Sequence, residues 1–160
     1  MDTTVYGLPW VPDDGGREAA GFKGSAGDCV ARAIAIATVQ RYRDVYKALA
    51  QLNAEAPLTR RQRAAGKVRA RSARNGVDRR AIHRYMEDVC GWAWHPTMAI
   101  GSGCRVHLAD GEIPATGRFV VQVSKHVTAV IDGVLYDTHD PCRDGTRCVY
   151  GYWTEPGIPG

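Results

Sequence analysis

An α+β fold is the class the sequence predicts, and three observations carry it. Segments with helical spacing of apolar residues fill the chain as far as Gly91. Beyond Gly91 the apolar runs are short, β-branched or aromatic, and are punctuated by Gly, Pro and Asp. Between two of those runs stands Asp132-Gly133, a strong signal for a two-residue hairpin turn. Helices first and strands after imply N-terminal helices packed on a C-terminal antiparallel sheet. The 160 residues suit a single domain, and a hydrophobic content of 44% is too high for a disordered chain.

Taken in order, residues 1–27 read as an irregular arm, because "VPDDGG" and "GFKGSAG" are turn chemistry. Asp28 is placed to N-cap a helix over 29–39, its carboxylate accepting from first-turn amides. That segment, "CVARAIAIATV", is apolar nearly all round except for Arg32, which makes it a central buried helix starting at Cys29. "YRDVYKALAQLNAE" (42–55) is amphipathic, with Val45, Leu49 and Leu52 on one face, and Pro57 ends it. Residues 58–76 read as a basic loop insertion. Asp78 is placed to cap a third helix over 79–91, stopped by Gly91. The strands expected after it are "WAWHPTMAI", "CRVHL", "RFVVQVS", "HVTAVI", "VLYDT" and "CVYGYW".

Composition narrows the function classes. No apolar run reaches 18 residues, so no membrane-spanning helix is expected. The N-terminus lacks the basic-then-apolar layout of a signal peptide, and a cytoplasmic protein is the default. Five cysteines at irregular spacing do not suggest a disulfide framework; Cys142 and Cys148 are the one pair considered for closing a small loop. Net charge is +4, but from Arg60 to Arg80 the chain holds nine Lys or Arg and one acid. A basic cluster on a mildly acidic body points to an anionic partner or a solvated loop.

The hairpin carries the chemistry. A two-residue turn at Asp132-Gly133 sets Ile131 opposite Val134, Ala129 opposite Tyr136 and Thr128 opposite Asp137. His126 faces His139 if pairing extends that far. Alternation puts His126, Thr128 and Val130 on one face with Leu135, Asp137 and His139. Asp137 is then the diagonal neighbour of His126, about 7–8 Å away between Cα atoms, and a carboxylate can bridge that gap to an imidazole. Asp140 has the wrong parity and Asp132 lies in the turn. A polar pair within apolar strands is costly unless compensated. Cys29, at the expected start of the buried helix, meets unpaired amides and the positive end of the helix dipole. Taken alone it also fits a core thiol. With His126 and Asp137 it supplies a nucleophile, a base and the group that orients the base. The Cys29 backbone N–H can donate to an oxyanion.

These residues resemble a known family. "DC" opening a buried helix, a late strand "HVTAV", and a following strand ending in Asp are similar to the papain-like cysteine peptidase superfamily. The style is nearest its double-glycine, bacteriocin-processing branch. "GDCVARAIAIAT", "HVTAVIDGVLYDTHD" and "RCVYGYW" also resemble uncharacterised small bacterial, phage and plasmid proteins. The resemblance implies a papain-like fold, thiol chemistry on amide or peptide bonds, and no cofactor or metal. It implies Cys29 as nucleophile, His126 as general base and acid, and Asp137 as the orienting residue. The family's upstream glutamine, an oxyanion donor, has no counterpart in "GFKGSAG", where Lys23 and Ser25 are the candidates. Acyltransferases and deamidases share the triad, so a peptide or protein substrate is the simplest partner among several acyl acceptors.

Other features suggest other classes. Arg60, Arg61, Arg63, Lys67, Arg69, Arg71, Arg74, Arg79 and Arg80 offer contacts for nucleic acid or an acidic protein, on a scaffold that need not be catalytic. Alternatively this segment borders the cleft and selects an acidic substrate. The segment has no interleaved aromatics for base stacking. Cys104 with His107 and His139 with Cys142 have ligand-like separations, with Cys148 nearby, but match no standard zinc module. Trp92, Trp94, Tyr150, Tyr152 and Trp153 either pack the sheet or line a groove. His83 is expected to be exposed.

Overall fold

The structure, a computed structural model, describes residues 7–22, 28–67, 73 and 77–157. At its centre is the Asp132-Gly133 hairpin. Strands β4 (His126–Ile131) and β5 (Val134–Asp137) pair with Ile131 opposite Val134, Val130 opposite Leu135 and Ala129 opposite Tyr136. That is the register a two-residue turn imposes. Asp132 and Gly133 have φ of 50° and 76°, the left-handed values a type I′ turn needs at both central positions. β3 (Arg118–Val123) pairs with the other edge of β4, followed outward by β6 (Val149–Thr154) and β2 (Ala93–Pro96), all antiparallel.

The sheet is nevertheless mixed. β1 (Trp10–Pro12), from the arm expected to be irregular, pairs in parallel with β5, and the order across the sheet is β1-β5-β4-β3-β6-β2. The arm docks because β5 would otherwise leave an edge of unpaired backbone groups. Leu135 N–H donates to Pro9 C=O and Asp13 N–H to Asp137 C=O. Pro12 has no N–H to give, which an edge strand tolerates. "CRVHL" is not a strand; it contributes one isolated bridge, His107 to Cys148.

Both faces of the sheet are covered. Val120, Val127, Ala129 and Trp153 pack under α1 (Cys29–Thr38) and α2 (Tyr42–Glu55). Phe119, Val121, Val130 and Leu135 pack on the opposite side against Leu108, Ile113 and Cys142 from irregular segments. Coverage on two sides explains why "HVTAVI" reads as a continuous run. α1 lies across β4, and α2 packs on α1. Thr59 and Gln62 form a capping box that starts α3 (Arg60–Ala64), so the basic loop opens with a short helix. Arg69, Arg71 and Arg74 lie outside the described residues. The third expected helix is α4 (Arg79–Arg84), N-capped by Asp78 and continued by a π-turn over Tyr85–Val89; Gly91, with φ of 73°, follows. His83 is not an exposed side chain: its ring sits 5.0 Å from both Trp94 and Trp153.

Cys104 and Cys148 form a disulfide, which corrects both the expectation of none and the choice of Cys142 as a partner. The His107–Cys148 bridge brings the two cysteines together, with Cα atoms 5.9 Å apart. Cys142 is instead buried with Leu8 in the second core. A sequence separation of 44 residues corresponds to about 4 kcal/mol on the chain-entropy account. Cys104→Ser should lose most of that in a urea melt; a loss under about 1 kcal/mol would show that the bond constrains nothing.

Candidate active site

The site lies where α1 begins and β4 begins. Asp28 occupies the N-cap position of α1, but its carboxylate does not cap the helix as the sequence suggested. It is buried among three partners that the local rule cannot see. Arg17 Nε lies 3.0 Å from Oδ2, Arg32 lies 3.1 Å from Oδ1, and the Tyr42 hydroxyl donates to Oδ2. Desolvating a carboxylate is tolerable when two guanidiniums and a hydroxyl replace the water. The Tyr42 ring is packed in turn against the rings of Phe22 and Tyr46. This network fixes the residue immediately before Cys29.

Cys29 and His126 line the same cleft, close enough for each to shift the other's titration. His126 is the first residue of β4, and its Nε2 lies 2.6 Å from Asp137 Oδ2. With Nε2 engaged, Nδ1 is the ring nitrogen left to meet the thiol. Asp137 is 5% exposed and is held on several sides. Its Oδ1 accepts from Thr138 N–H at 2.7 Å, while its backbone carbonyl accepts from Trp10 Nε1 at 3.0 Å and Asp13 N–H at 2.9 Å. The arm's strand β1 thus anchors the residue that orients the imidazole. The β4–β5 ladder ends at the Ala129–Tyr136 pair, so the expected Thr128–Asp137 and His126–His139 pairs are not ladder partners, and Asp137 pairs with Pro12 of β1. The exposed ring of His139 still lies 5.0 Å from that of His126.

The electrostatics follow from these contacts. Burial pushes the Cys29 thiol up, but the hydrogen bond and charge of His126, the Val127 N–H and the charge of Arg32 outweigh it, and the net direction is down. Burial opposes the His126 cation, yet Asp137 and Cys29 raise it to about 9. Burial also pushes the Asp137 carboxyl up, and the His126 hydrogen bond and charge bring it below its usual value. The three shifts each favour the charged form of the group: thiolate for Cys29, imidazolium for His126 and carboxylate for Asp137.

A cleft of about 300 Å³ opens beside Cys29 and His126. Arg79, Gln122, Lys125 and Tyr150 line it together with apolar Val30, Val77, Ile82 and Val127. Of the basic residues singled out from the sequence, Arg79 reaches this cleft. Arg80 is engaged instead with Asp78 at 3.2 Å and with the Pro57 carbonyl, and Arg60, Arg61, Arg63 and Lys67 are exposed on and after α3. Lys23 and Ser25, the oxyanion candidates, lie outside the described residues. Tyr150 lines the cleft, whereas Trp92, Tyr152 and Trp153 are buried as packing. Among the described residues no group of three or more His, Cys, Asp or Glu is placed to hold a metal ion.

Gln122 and Lys125 were not singled out by sequence reasoning. Gln122 Nε2 donates to the carbonyls of Val123 at 3.0 Å and His126 at 3.2 Å, clamping the turn that carries Lys125 and presents His126. The available signal was a lone polar residue in the apolar strand "RFVVQV", and a lysine immediately before the histidine. Comparison of the chain with protein-family models, curated proteins and solved structures finds no match in any of the three.

Proposed function

We propose that this protein is a cysteine-dependent hydrolase of papain-like type, acting on amide or peptide bonds through Cys29, His126 and Asp137. The observation that carries the reading is the buried His126–Asp137 contact of 2.6 Å, which commits one imidazole nitrogen and leaves the other to the Cys29 thiol. The Cys29 sulfur attacks the carbonyl carbon, forming the C–S bond, and the oxyanion accepts a hydrogen bond from the Cys29 N–H. Collapse breaks the C–N bond, and the imidazolium proton goes to the leaving amine. Water then attacks the thioester, His126 takes its proton, and the C–S bond breaks to release the carboxylic acid and restore the Cys29 thiolate beside the imidazolium. Asp137 keeps the ring oriented and stabilises its cation.

A deamidase or acyltransferase would share the steps as far as the thioester and differ in the leaving group or acceptor. Water is the simplest acceptor. A bacterial, phage or plasmid origin accords with the resemblance, whereas the Cys104–Cys148 disulfide argues against the cytoplasmic location expected from the sequence, since such bonds are rare in reducing compartments. Among the described residues no helix is long and apolar enough to cross a membrane. Incubating the protein with a peptide mixture should generate new amino termini, detected by mass spectrometry. The signal should vanish in Cys29→Ala and His126→Ala. Cleavage that persists in folded Cys29→Ala would exclude this reading.

A further inference from the structure

We propose that the cleft beside Cys29 selects anionic substrates, in which a carboxylate lies close to the bond attacked. This names the substrate class of the site just proposed and rests on that reading. Among the described residues two cations border the cleft, Arg79 from the start of α4 and Lys125 from the β3–β4 turn, and no carboxylate belongs to its lining. The Cys29 thiolate and the buried Asp137 carboxylate exceed the imidazolium by one negative charge, so with Arg79 and Lys125 the site is left with one net positive charge, and the two cations border the open cleft. Neither cation is there by chance of a loose loop. Arg79 stands at a helix start fixed by the Asp78 cap, with its guanidinium 5.7 Å from the Trp94 ring centroid. Lys125 sits at φ 55° on the turn clamped by Gln122.

The remaining walls, Val30, Val77, Ile82 and Val127, offer an apolar surface for the rest of the ligand. Apolar walls with a few convergent polar groups are what small binding sites usually present. Like charges facing one cavity repel until an anion enters, and the apolar walls strengthen that attraction by excluding water. The carboxylate can belong to an acidic side chain or to the end of a chain, since both present the same group to the two cations.

The test compares alkylation of Cys29 by iodoacetate and iodoacetamide at pH 6.5 and low salt, with sites assigned by peptide mapping. In both reactions the sulfur displaces iodide and a C–S bond replaces C–I. The iodoacetate-to-iodoacetamide rate ratio should exceed that of 2-mercaptoethanol by about tenfold, fall with added salt, and drop in Arg79→Gln/Lys125→Gln. The imidazolium contributes to the ratio in both proteins, so the difference between them isolates the two cations. A ratio unchanged in the folded double variant and insensitive to salt overturns the proposal. If instead iodoacetamide reacts no faster with wild type than with His126→Ala, the activated-thiol reading itself fails. Protection of Cys29 from iodoacetamide by millimolar N-acetylglutamic acid α-amide identifies an acidic side chain as the ligand. Protection by N-acetylglutamine identifies a chain end, and protection by neither overturns the proposal.

Discussion

At pH 6.5, iodoacetamide should modify Cys29 and leave the other cysteines untouched, and His126→Ala should slow that reaction by at least about tenfold. The estimate follows from an ordinary thiol of pKa about 8.5, which is about 1% thiolate at this pH, moderated by the lower nucleophilicity of a more acidic thiol. Without the imidazolium, burial continues to oppose the Cys29 anion, so the variant gains nothing from its environment to replace what is lost. The protein supplies its own controls. Burial pushes Cys90 up despite hydrogen bonds from Gln40 and Tyr85, burial pushes Cys142 up to about 12, and Cys104 and Cys148 are bonded to each other. Equal labelling of wild type and His126→Ala would remove the activated nucleophile.

The pH profile gives the same prediction a second axis. Alkylation needs only the thiolate, so its rate rises as pH passes the lowered Cys29 value and then stays high. Acyl transfer also needs the imidazolium proton, so turnover should fall as pH rises through about 9, where His126 deprotonates. The groups that set this limb are Asp137 and Cys29, with the exposed His139 ring nearby. Asp137→Asn removes the charge that raises His126, so the falling limb should move to lower pH. A limb that stays near 9 in Asp137→Asn would show that Asp137 does not hold the imidazolium.

Asp28→Asn should lower stability by about 3 kcal/mol, a shift of about 6–12 °C in Tm for a chain of this size. The substitution keeps the shape of the side chain and removes its charge. Two guanidiniums are left facing each other at the head of α1, each 13% exposed and so only partly able to recruit water. That residual exposure places the cost at the lower end of the range for breaking a buried ion pair. Arg17→Ala should cost less, because Arg32 and Tyr42 still satisfy the carboxylate. A Tm for Asp28→Asn within 2 °C of wild type, on that same scale of about 2–4 °C per kcal/mol, would show that the network does not hold the helix start.

Local rules account for much of what could be read from the chain. The bounds of α1 and α2 follow from apolar spacing and from Pro57, because hydrogen bonds four residues apart need no information from elsewhere. The register of β4 on β5 follows from one dipeptide, since a two-residue turn leaves one pairing for the strands it joins. The hairpin alone therefore identifies Asp137 as the partner of His126, and the 2.6 Å contact lies where the diagonal puts it.

Tertiary structure decided the rest, and in each case the cause is contact between residues far apart in sequence. A cap was the local expectation for Asp28, but Arg17 and Tyr42 compete for the same carboxylate from other segments. The arm became β1 because β5 offered it an unpaired edge, and through Trp10 and Asp13 it secures Asp137. The Cys104–Cys148 pairing depended on coil folding back to the start of β6. Only chain packing could bring Arg79 and Lys125 to one cleft, because charge and spacing say which residues are available but not which face one another. By itself the sequence determined the helix that begins at Cys29 and the hairpin that pairs His126 with Asp137. The fold decided how rigidly that trio is held and what charge surrounds it, because both depend on neighbours that no local pattern specifies.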